Sequence, residues 1–125
     1  MMVSLSTHVL DAALGQPAAG LSVRLEAATE RGWATLAETR TDREGRVREA
    51  FAGLDLGVAA PAADGGGAGG TYRLVFDTAG YFAARGVKEF FYPEVAVGFR
   101  ITDAAAHYHV PLLLSPFAYS TYRGS

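Results

Sequence analysis

The chain of 125 residues carries 11 Lys and Arg against 13 Asp and Glu, contains no cysteine and is half hydrophobic. The lack of cysteine excludes disulfides, thiolate metal sites and a cysteine nucleophile. A net charge of −2 without a Lys/Arg cluster argues against a nucleic-acid partner. No apolar run approaches the ~20 residues that span a bilayer. The length predicts one domain, residues 1–125. The start of the chain lacks the basic region of a signal peptide, so we expect a cytoplasmic protein with no membrane partner.

Short segments with apolar residues at every second position alternate with turn residues, which is the pattern of half-buried strands. Eight such strands are predicted, at residues 3–10, 21–26, 33–40, 46–50, 72–77, 95–101, 107–114 and 117–123. Residues 11–20, with two glycines and a proline, predict a loop. Asp77 is a good N-cap and Gly86 a good C-terminal stop, so a short helix is predicted between them, to about residue 85. Together these elements indicate an all-β fold, an antiparallel eight-stranded β-sandwich with one short helix.

One stretch of low complexity interrupts this pattern. Residues 57–70 read GVAAPAADGGGAGG and contain no large apolar side chain apart from a single valine. Such a composition cannot pack into a core, so it predicts a flexible surface loop that carries no chemistry.

The histidines of the strand at residues 107–114 point away from the core. At a period of two, His107 and His109 share one side with Pro111, whereas the other side is lined by large apolar residues. The same alternation places His8 on the more polar side of the first strand. Pro111 lacks a backbone donor, which suits an edge or a bulge better than a central strand.

These residues also have ordinary interpretations. A lone histidine on a strand is more often a surface residue than a base or a ligand. Arg46 directly follows a predicted turn over residues 41–45, where a solvated arginine is common. The pair His107 and His109 could also bind a metal, because alternate strand positions share a face, but a catalytic zinc normally requires a third protein ligand. No Gly-x-Ser-x-Gly motif is present, which argues against a nucleophilic serine.

Four stretches resemble one family, the transthyretin-related 5-hydroxyisourate hydrolases. They are the C-terminal Tyr-Arg-Gly-Ser at residues 122–125, THVLDAALGQPAAG at 7–20, TDREGR at 41–46, and YRLVFDTAGYFA at 72–83 followed by FFYPEV at 90–95. Together they span nearly the whole chain. The resemblance implies a sandwich of transthyretin-like (prealbumin-like) topology, a homotetramer, and a substrate site on the sheet face where dimers meet.

Carried over by motif, the resemblance implies a site made of His8, Arg46, His109, Tyr122 and Ser125. His8, Arg46 and His109 are expected to be catalytic and to bind substrate together with the two tail residues. His107 is expected at the periphery of the same face. The family uses no metal and no cofactor, so none is expected here.

The implied reaction is hydrolysis of 5-hydroxyisourate to 2-oxo-4-hydroxy-4-carboxy-5-ureidoimidazoline in urate catabolism. Opening a lactam with water needs a base and donors to the developing oxyanion, and histidine suits the first task. Which histidine acts as base stays open, as does whether Arg123 contacts substrate or braces the tail or a subunit interface. Two other classes of function also stay open: a non-enzymatic small-molecule carrier in the channel of a transthyretin-like tetramer, and a structural interaction module.

Overall fold

A computed structural model of the chain describes residues 4–48, 51, 70–102 and 106–124. Within these residues the chain forms nine strands and one helix. They are β1 (Ser4–Asp11), β2 (Gln16–Pro17), β3 (Ser22–Thr29), β4 (Gly32–Arg40), β5 (Arg46–Val47), β6 (Thr71–Phe76), α1 (Thr78–Ala84), β7 (Val95–Arg100), β8 (His107–Ser115) and β9 (Ala118–Thr121).

The strands form two sheets, which confirms the predicted all-β sandwich with one short helix. The first sheet has the order β2-β1-β8-β9, with β5 also paired to β1, and the second has the order β4-β3-β6-β7. Every pairing is antiparallel except that of β1 with β8, which is parallel over the whole of β1. The first sheet is therefore mixed, which the sequence did not predict.

The strand boundaries differ from the predicted ones in a few places. The predicted loop over residues 11–20 contains β2, whose two residues pair with Leu10 and Asp11 at the start of the turn. The predicted fourth strand is described only as β5, because residues 49–50 lie outside the described part of the chain. The predicted flexible loop over residues 57–70 also lies outside the described residues, apart from Gly70.

The core lies between the sheets and takes the apolar side of each alternating strand. On β1, Leu5 and Val9 are buried, and on β8 Tyr108, Leu112 and Leu114 are buried. Each fully buried side chain of this size contributes about 1.5–3 kcal/mol by leaving water. The register of both strands is thus fixed, since a slip by one residue would turn these side chains to solvent and the histidines inward.

Helix α1 is closed at each end by a local cap and is joined to the first sheet from its middle. The Asp77 carboxylate accepts a hydrogen bond from the Gly80 amide at 3.0 Å and so caps the helix, as predicted. Gly86 follows the C-terminal turn with φ of 74°, which confirms the predicted stop. In the middle of the helix, the Tyr81 hydroxyl donates to the Asp11 carboxylate at 2.7 Å and joins α1 to the end of β1.

Pro111 lies inside a central strand, which corrects the expectation of an edge position. If the register of β8 and β9 continued, Tyr122 would lie opposite Pro111. The strand tolerates the proline because β9 ends one residue earlier, at Thr121. The Thr121 hydroxyl donates to the Pro111 carbonyl oxygen at 2.7 Å. Pairing resumes with an isolated bridge between His109 and Gly124. The proline therefore ends β9 at this point and separates it from the C-terminal tail.

No helix among the described residues is long and apolar enough to cross a membrane.

Candidate functional site

The parallel pairing of β1 and β8 brings the histidines together on the outer face of the first sheet. In this register His109 lies opposite Ser6, and His107 lies opposite Ser4, while Pro111 lies opposite His8. His8 is thus displaced from His109 by two residues along the neighbouring strand. With adjacent strands about 4.8 Å apart and a rise of about 3.3 Å per residue, their Cα atoms are roughly 8 Å apart.

Arg46 reaches the same face because of the turn that precedes it. The Asp42 carboxylate accepts from the Glu44 amide at 2.8 Å and from the Arg46 amide at 3.0 Å. Gly45 has φ of 75°, and a Cβ there would collide with the carbonyl oxygen of Val9. The turn therefore closes against β1, and the β1–β5 register places Arg46 directly opposite His8.

The turn also fixes the tautomer of His8. Its Nε2 lies 3.0 Å from the backbone carbonyl oxygen of Glu44, and a carbonyl oxygen can only accept. Nε2 therefore carries hydrogen and donates, which leaves Nδ1 of the neutral ring as the nitrogen with a free lone pair.

Two serines of β1 bind the histidines of β8. The Ser6 hydroxyl lies 2.8 Å from Nδ1 of His109 and 3.2 Å from Nε2 of His107. The Ser4 hydroxyl lies 2.5 Å from Nδ1 of His107. The two imidazole rings stack with 6.5 Å between centroids and an interplanar angle of 14°. Sequence reasoning missed these serines, although the alternation that turns His8 outward also turns Ser4 and Ser6 outward.

The C-terminal tail covers one side of His109. The Gly124 amide donates to the backbone carbonyl oxygen of His109 at 2.9 Å. A Cβ on Gly124 would overlap Cδ2 of the His109 ring, so only glycine fits at this position without moving the ring. Sequence reasoning treated Gly124 only as part of the tail motif, and its contact with His109 depends on the fold.

Two other tail residues line a groove beside His109. Tyr122 is 60% exposed and shares with His109 a groove of about 310 Å³ between β7, β8 and the tail. Arg123 lines the same groove, and its guanidinium lies 4.9 Å from the ring centroid of Tyr108. Ser125 lies outside the described residues.

The surroundings of His109 on the outer face lower its pKa. Partial burial lowers the pKa of His109 below its usual value, and the positive charges of His107, Arg46 and His8 lower that pKa further. Its ring is therefore neutral at neutral pH. When Nδ1 donates to Ser6, Nε2 is the nitrogen that can accept a proton from a bound molecule.

The structure thus brings together His8, Arg46 and His109, with Tyr122 at the neighbouring groove. A neutral imidazole can take a proton, and a guanidinium can hold an oxygen anion through its fork of donors. Among the residues that the structure describes, no group of three His, Cys, Asp or Glu side chains is arranged to hold a metal ion.

The family model of the HIUase/Transthyretin family matches residues 5–124. The chain belongs to this family. The 5-hydroxyisourate hydrolase of Salmonella typhimurium is 43% identical to it over 121 residues, which cover 97% of this chain and 80% of that protein. The match includes every described residue of the outer face except Ser4.

Solved structures of HIUase/Transthyretin family members share the fold. The 5-hydroxyisourate hydrolase of Klebsiella pneumoniae is 37% identical, with a TM-score of 0.71 over 98% of this chain and 99% of that one. Transthyretin from Sparus aurata is 29% identical, with a TM-score of 0.78 over 97% of this chain and 96% of that one. The transthyretin-like topology expected from the sequence is thereby confirmed.

Proposed function

We propose that this protein hydrolyses 5-hydroxyisourate to 2-oxo-4-hydroxy-4-carboxy-5-ureidoimidazoline, as a step of urate catabolism. One observation carries the proposal: His109, whose pKa is lowered and whose Nδ1 contacts Ser6, lies on the same open sheet face as His8 and Arg46. Relatives that are 43% identical over nearly the whole chain are 5-hydroxyisourate hydrolases, which supports the same reaction.

His109 is the general base in this proposal. Its Nε2 takes a proton from water as the water oxygen bonds to the lactam carbonyl carbon. The carbon–nitrogen bond of the ring then breaks, and the leaving nitrogen takes up the proton. His109 suits this task because its lowered pKa keeps the ring unprotonated at neutral pH, and its contact with Ser6 holds the ring in place.

His8 orients the same water. Its Nε2 is occupied by the Glu44 carbonyl oxygen, so its Nδ1 is the nitrogen that can accept a hydrogen bond from the water. The two histidines therefore hold one water between neighbouring strands, with the proton going to His109.

Arg46 binds the substrate. Its guanidinium can hold the imide-like oxygens of an oxidised purine with two parallel hydrogen bonds. Tyr122 and Ser125 close the site from the tail and polarise the carbonyl. The chemistry so assigned is complete with side chains and water, and it uses neither a cofactor nor a metal.

A carrier function on the same scaffold is less well supported. The transthyretin of Sparus aurata is 29% identical, whereas the Salmonella hydrolase is 43% identical. A carrier also has no use for a neutral imidazole held by a serine and placed beside an arginine. An interaction module would need none of these features.

The site needs a second copy of the chain to be enclosed. The outer face of the first sheet is open, and Tyr122 at its margin is largely exposed. We propose a homotetramer in which outer faces meet by symmetry and form paired sites in a central channel. A chain without cysteine suits a reducing compartment, so we place the activity in the cytoplasm.

The test is a decay assay. Urate oxidase generates 5-hydroxyisourate, and its absorbance is followed with and without the purified protein. We expect decay well above the spontaneous rate, with a rate proportional to protein concentration. Decay at the spontaneous rate would overturn the proposal, and thyroxine-like ligands binding without any turnover would favour the carrier.

A further inference from the structure

Ser6 occupies an unusual position between two imidazoles. Its Oγ is within hydrogen-bond distance of His109 Nδ1, at 2.8 Å, and of His107 Nε2, at 3.2 Å. A serine hydroxyl has one hydrogen, so it can donate to only one of these two nitrogens at a time. The other nitrogen must then carry hydrogen and donate to the serine oxygen.

Two arrangements satisfy both contacts. In the first, Ser6 donates to His107, and His109 donates from Nδ1 to Ser6, which leaves Nε2 of His109 with its lone pair. In the second, His107 donates to Ser6, and Ser6 donates to Nδ1 of His109, so the hydrogen of neutral His109 is on Nε2. Only the first arrangement leaves His109 able to take a proton at Nε2.

The charge state of His107 selects between the two arrangements. A protonated imidazole carries hydrogen on both nitrogens and can only donate. It therefore forces the second arrangement, in which Nε2 of His109 is occupied. Neutral His107 permits the first, with its Nδ1 hydrogen donated to Ser4, whose Oγ is 2.5 Å away.

We propose that Ser6 is a positioning residue that couples His107 to His109, so that protonation of His107 switches the tautomer of His109 and removes its free nitrogen. The kinetic part of this inference rests on the proposed function, in which His109 is the base. The coupling itself is a property of the hydrogen-bond chain and can be measured without substrate.

The charged and titratable groups described around His107 and His109 do not interrupt the hydrogen bonds that connect the two rings through Ser6. His8 on β1 and Arg46 on β5 act on His109 through their positive charge. From the tail, Tyr122 follows β9 and Arg123 lies over Tyr108. Nε2 of His8 binds the backbone carbonyl oxygen of Glu44, so this nitrogen does not bind Ser6. The path between His107 and His109 thus runs through the Ser6 hydroxyl.

The direct test is nuclear magnetic resonance of protein labelled with ¹⁵N at its three histidines. Nitrogen shifts report the tautomer and charge of each ring as the pH is lowered. In the unaltered protein, we expect His109 to move from the Nδ1-protonated to the Nε2-protonated neutral tautomer as His107 becomes charged. In Ser6→Ala, the tautomer of His109 should no longer follow the titration of His107.

The pH dependence of kcat is the second readout. Loss of activity in acid should follow one proton more in the unaltered protein than in Ser6→Ala or His107→Asn. The reason is that charging His107 also removes the base when Ser6 connects the two rings. Ser6→Ala should also lower the plateau of kcat about tenfold, as expected for loss of one positioning hydrogen bond, with little change in KM.

Matched variants separate this role from a structural one. Ser6→Thr keeps the hydroxyl and should restore the dependence on the additional proton and most of the rate. Ser22→Ala removes a serine of the second sheet and should leave the pH profile as it is. A merely structural Ser6 would give lower stability without any change in the number of protons.

The inference and the proposed function fail in different ways. A protein that does not accelerate decay of 5-hydroxyisourate overturns the proposed function, while the tautomer measurement still decides the coupling. The coupling is overturned if the His109 tautomer ignores His107, if it follows His107 equally in Ser6→Ala, or if His109 becomes charged before His107.

Discussion

His109 is held from several directions, and each contact limits what the ring can do. Ser6 binds Nδ1, the Gly124 amide binds the backbone carbonyl oxygen, and the Gly124 Cα lies against the ring. The ring therefore presents Nε2 in a fixed direction. Burial and neighbouring positive charges together keep it neutral.

The lowered pKa of His109 predicts where this ring becomes charged. In the ¹⁵N titration, the ring nitrogens of His109 should report charging with a midpoint below 6.5, the usual value for histidine. The same shift predicts that stability is greatest above pH 6.5 and declines as the pH falls from 6.5 towards the lowered pKa, because the unfolded chain binds the proton more tightly. A ¹⁵N midpoint for His109 at or above 6.5 would contradict the lowered pKa.

Gly124→Ala should disable the site while the fold is retained. The added Cβ overlaps the His109 ring and must displace it, and a displacement of about 1 Å can cost about 10²-fold in rate. We expect kcat to fall by about one to two orders of magnitude, with the midpoint of thermal unfolding little changed. Gly98→Ala is the matched control, because its Cβ would meet only the Tyr72 carbonyl oxygen at an ordinary 3.9 Å. Full activity of Gly124→Ala would show that the ring position does not matter.

Among the elements, α1 is fastened to the first sheet by one buried polar contact. The Tyr81 hydroxyl donates to Asp11, whose other carboxylate oxygen accepts from the Ala13 and Leu14 amides. Burial and the hydrogen bond to Asp11 raise the pKa of Tyr81 to about 12. Asp11 thus organises the turn after β1 and receives the helix at the same time.

Tyr81→Phe should therefore lower stability without altering chemistry. The change leaves an oxygen of buried Asp11 without its donor, which costs about 1–3 kcal/mol. Chemical denaturation should show this loss, while kcat of the folded variant stays close to that of the unaltered protein, since α1 is remote from His109. Tyr119→Phe, at an exposed tyrosine, serves as the control and should change stability by less than about 0.5 kcal/mol. If Tyr81→Phe is as stable as the unaltered protein, the hydrogen bond between Tyr81 and Asp11 does not stabilise the fold.

The strands show what sequence can and cannot predict here. Alternation alone places His8 and His109 on the outer face, because the opposite sides of β1 and β8 carry large apolar residues. The parallel partnership of these strands is not visible in either of them, since pairing is decided by the whole fold. β2 was missed because a strand of two residues has no measurable period. The roles of Ser6 and Gly124 depend on that pairing and on the tail, so they become visible only in the structure.

At the scale of the whole molecule, the edges of both sheets matter for assembly. Within the described residues, β7 ends one sheet and β9 ends the other, and both present unpaired backbone groups. Near them the side chains of Phe91 and Phe117 are 68% and 63% exposed. Such edges and aromatic side chains are typical of surfaces that are covered by another chain. That residues 1–125 form one domain stays a prediction.

We expect a homotetramer in solution. Sedimentation equilibrium should give a mass four times that of the chain at the concentrations used for kinetics, because a single open face cannot enclose the substrate. Dilution below the dissociation range should reduce activity per chain in parallel with loss of the tetramer. A fully active monomer would contradict the proposed paired sites.

The central claim is that His8 and His109 act together on one water, and a set of histidine variants tests it most directly. Both residues lie on the outer face, so His8→Asn and His109→Asn should each fold, and Asn cannot take a proton near neutral pH. Turnover of 5-hydroxyisourate should fall about 10²–10⁴-fold in each single variant. The double variant should be little slower than the slower single variant, because groups that act as a unit are not additive. Near-normal kcat in either single variant would contradict the mechanism.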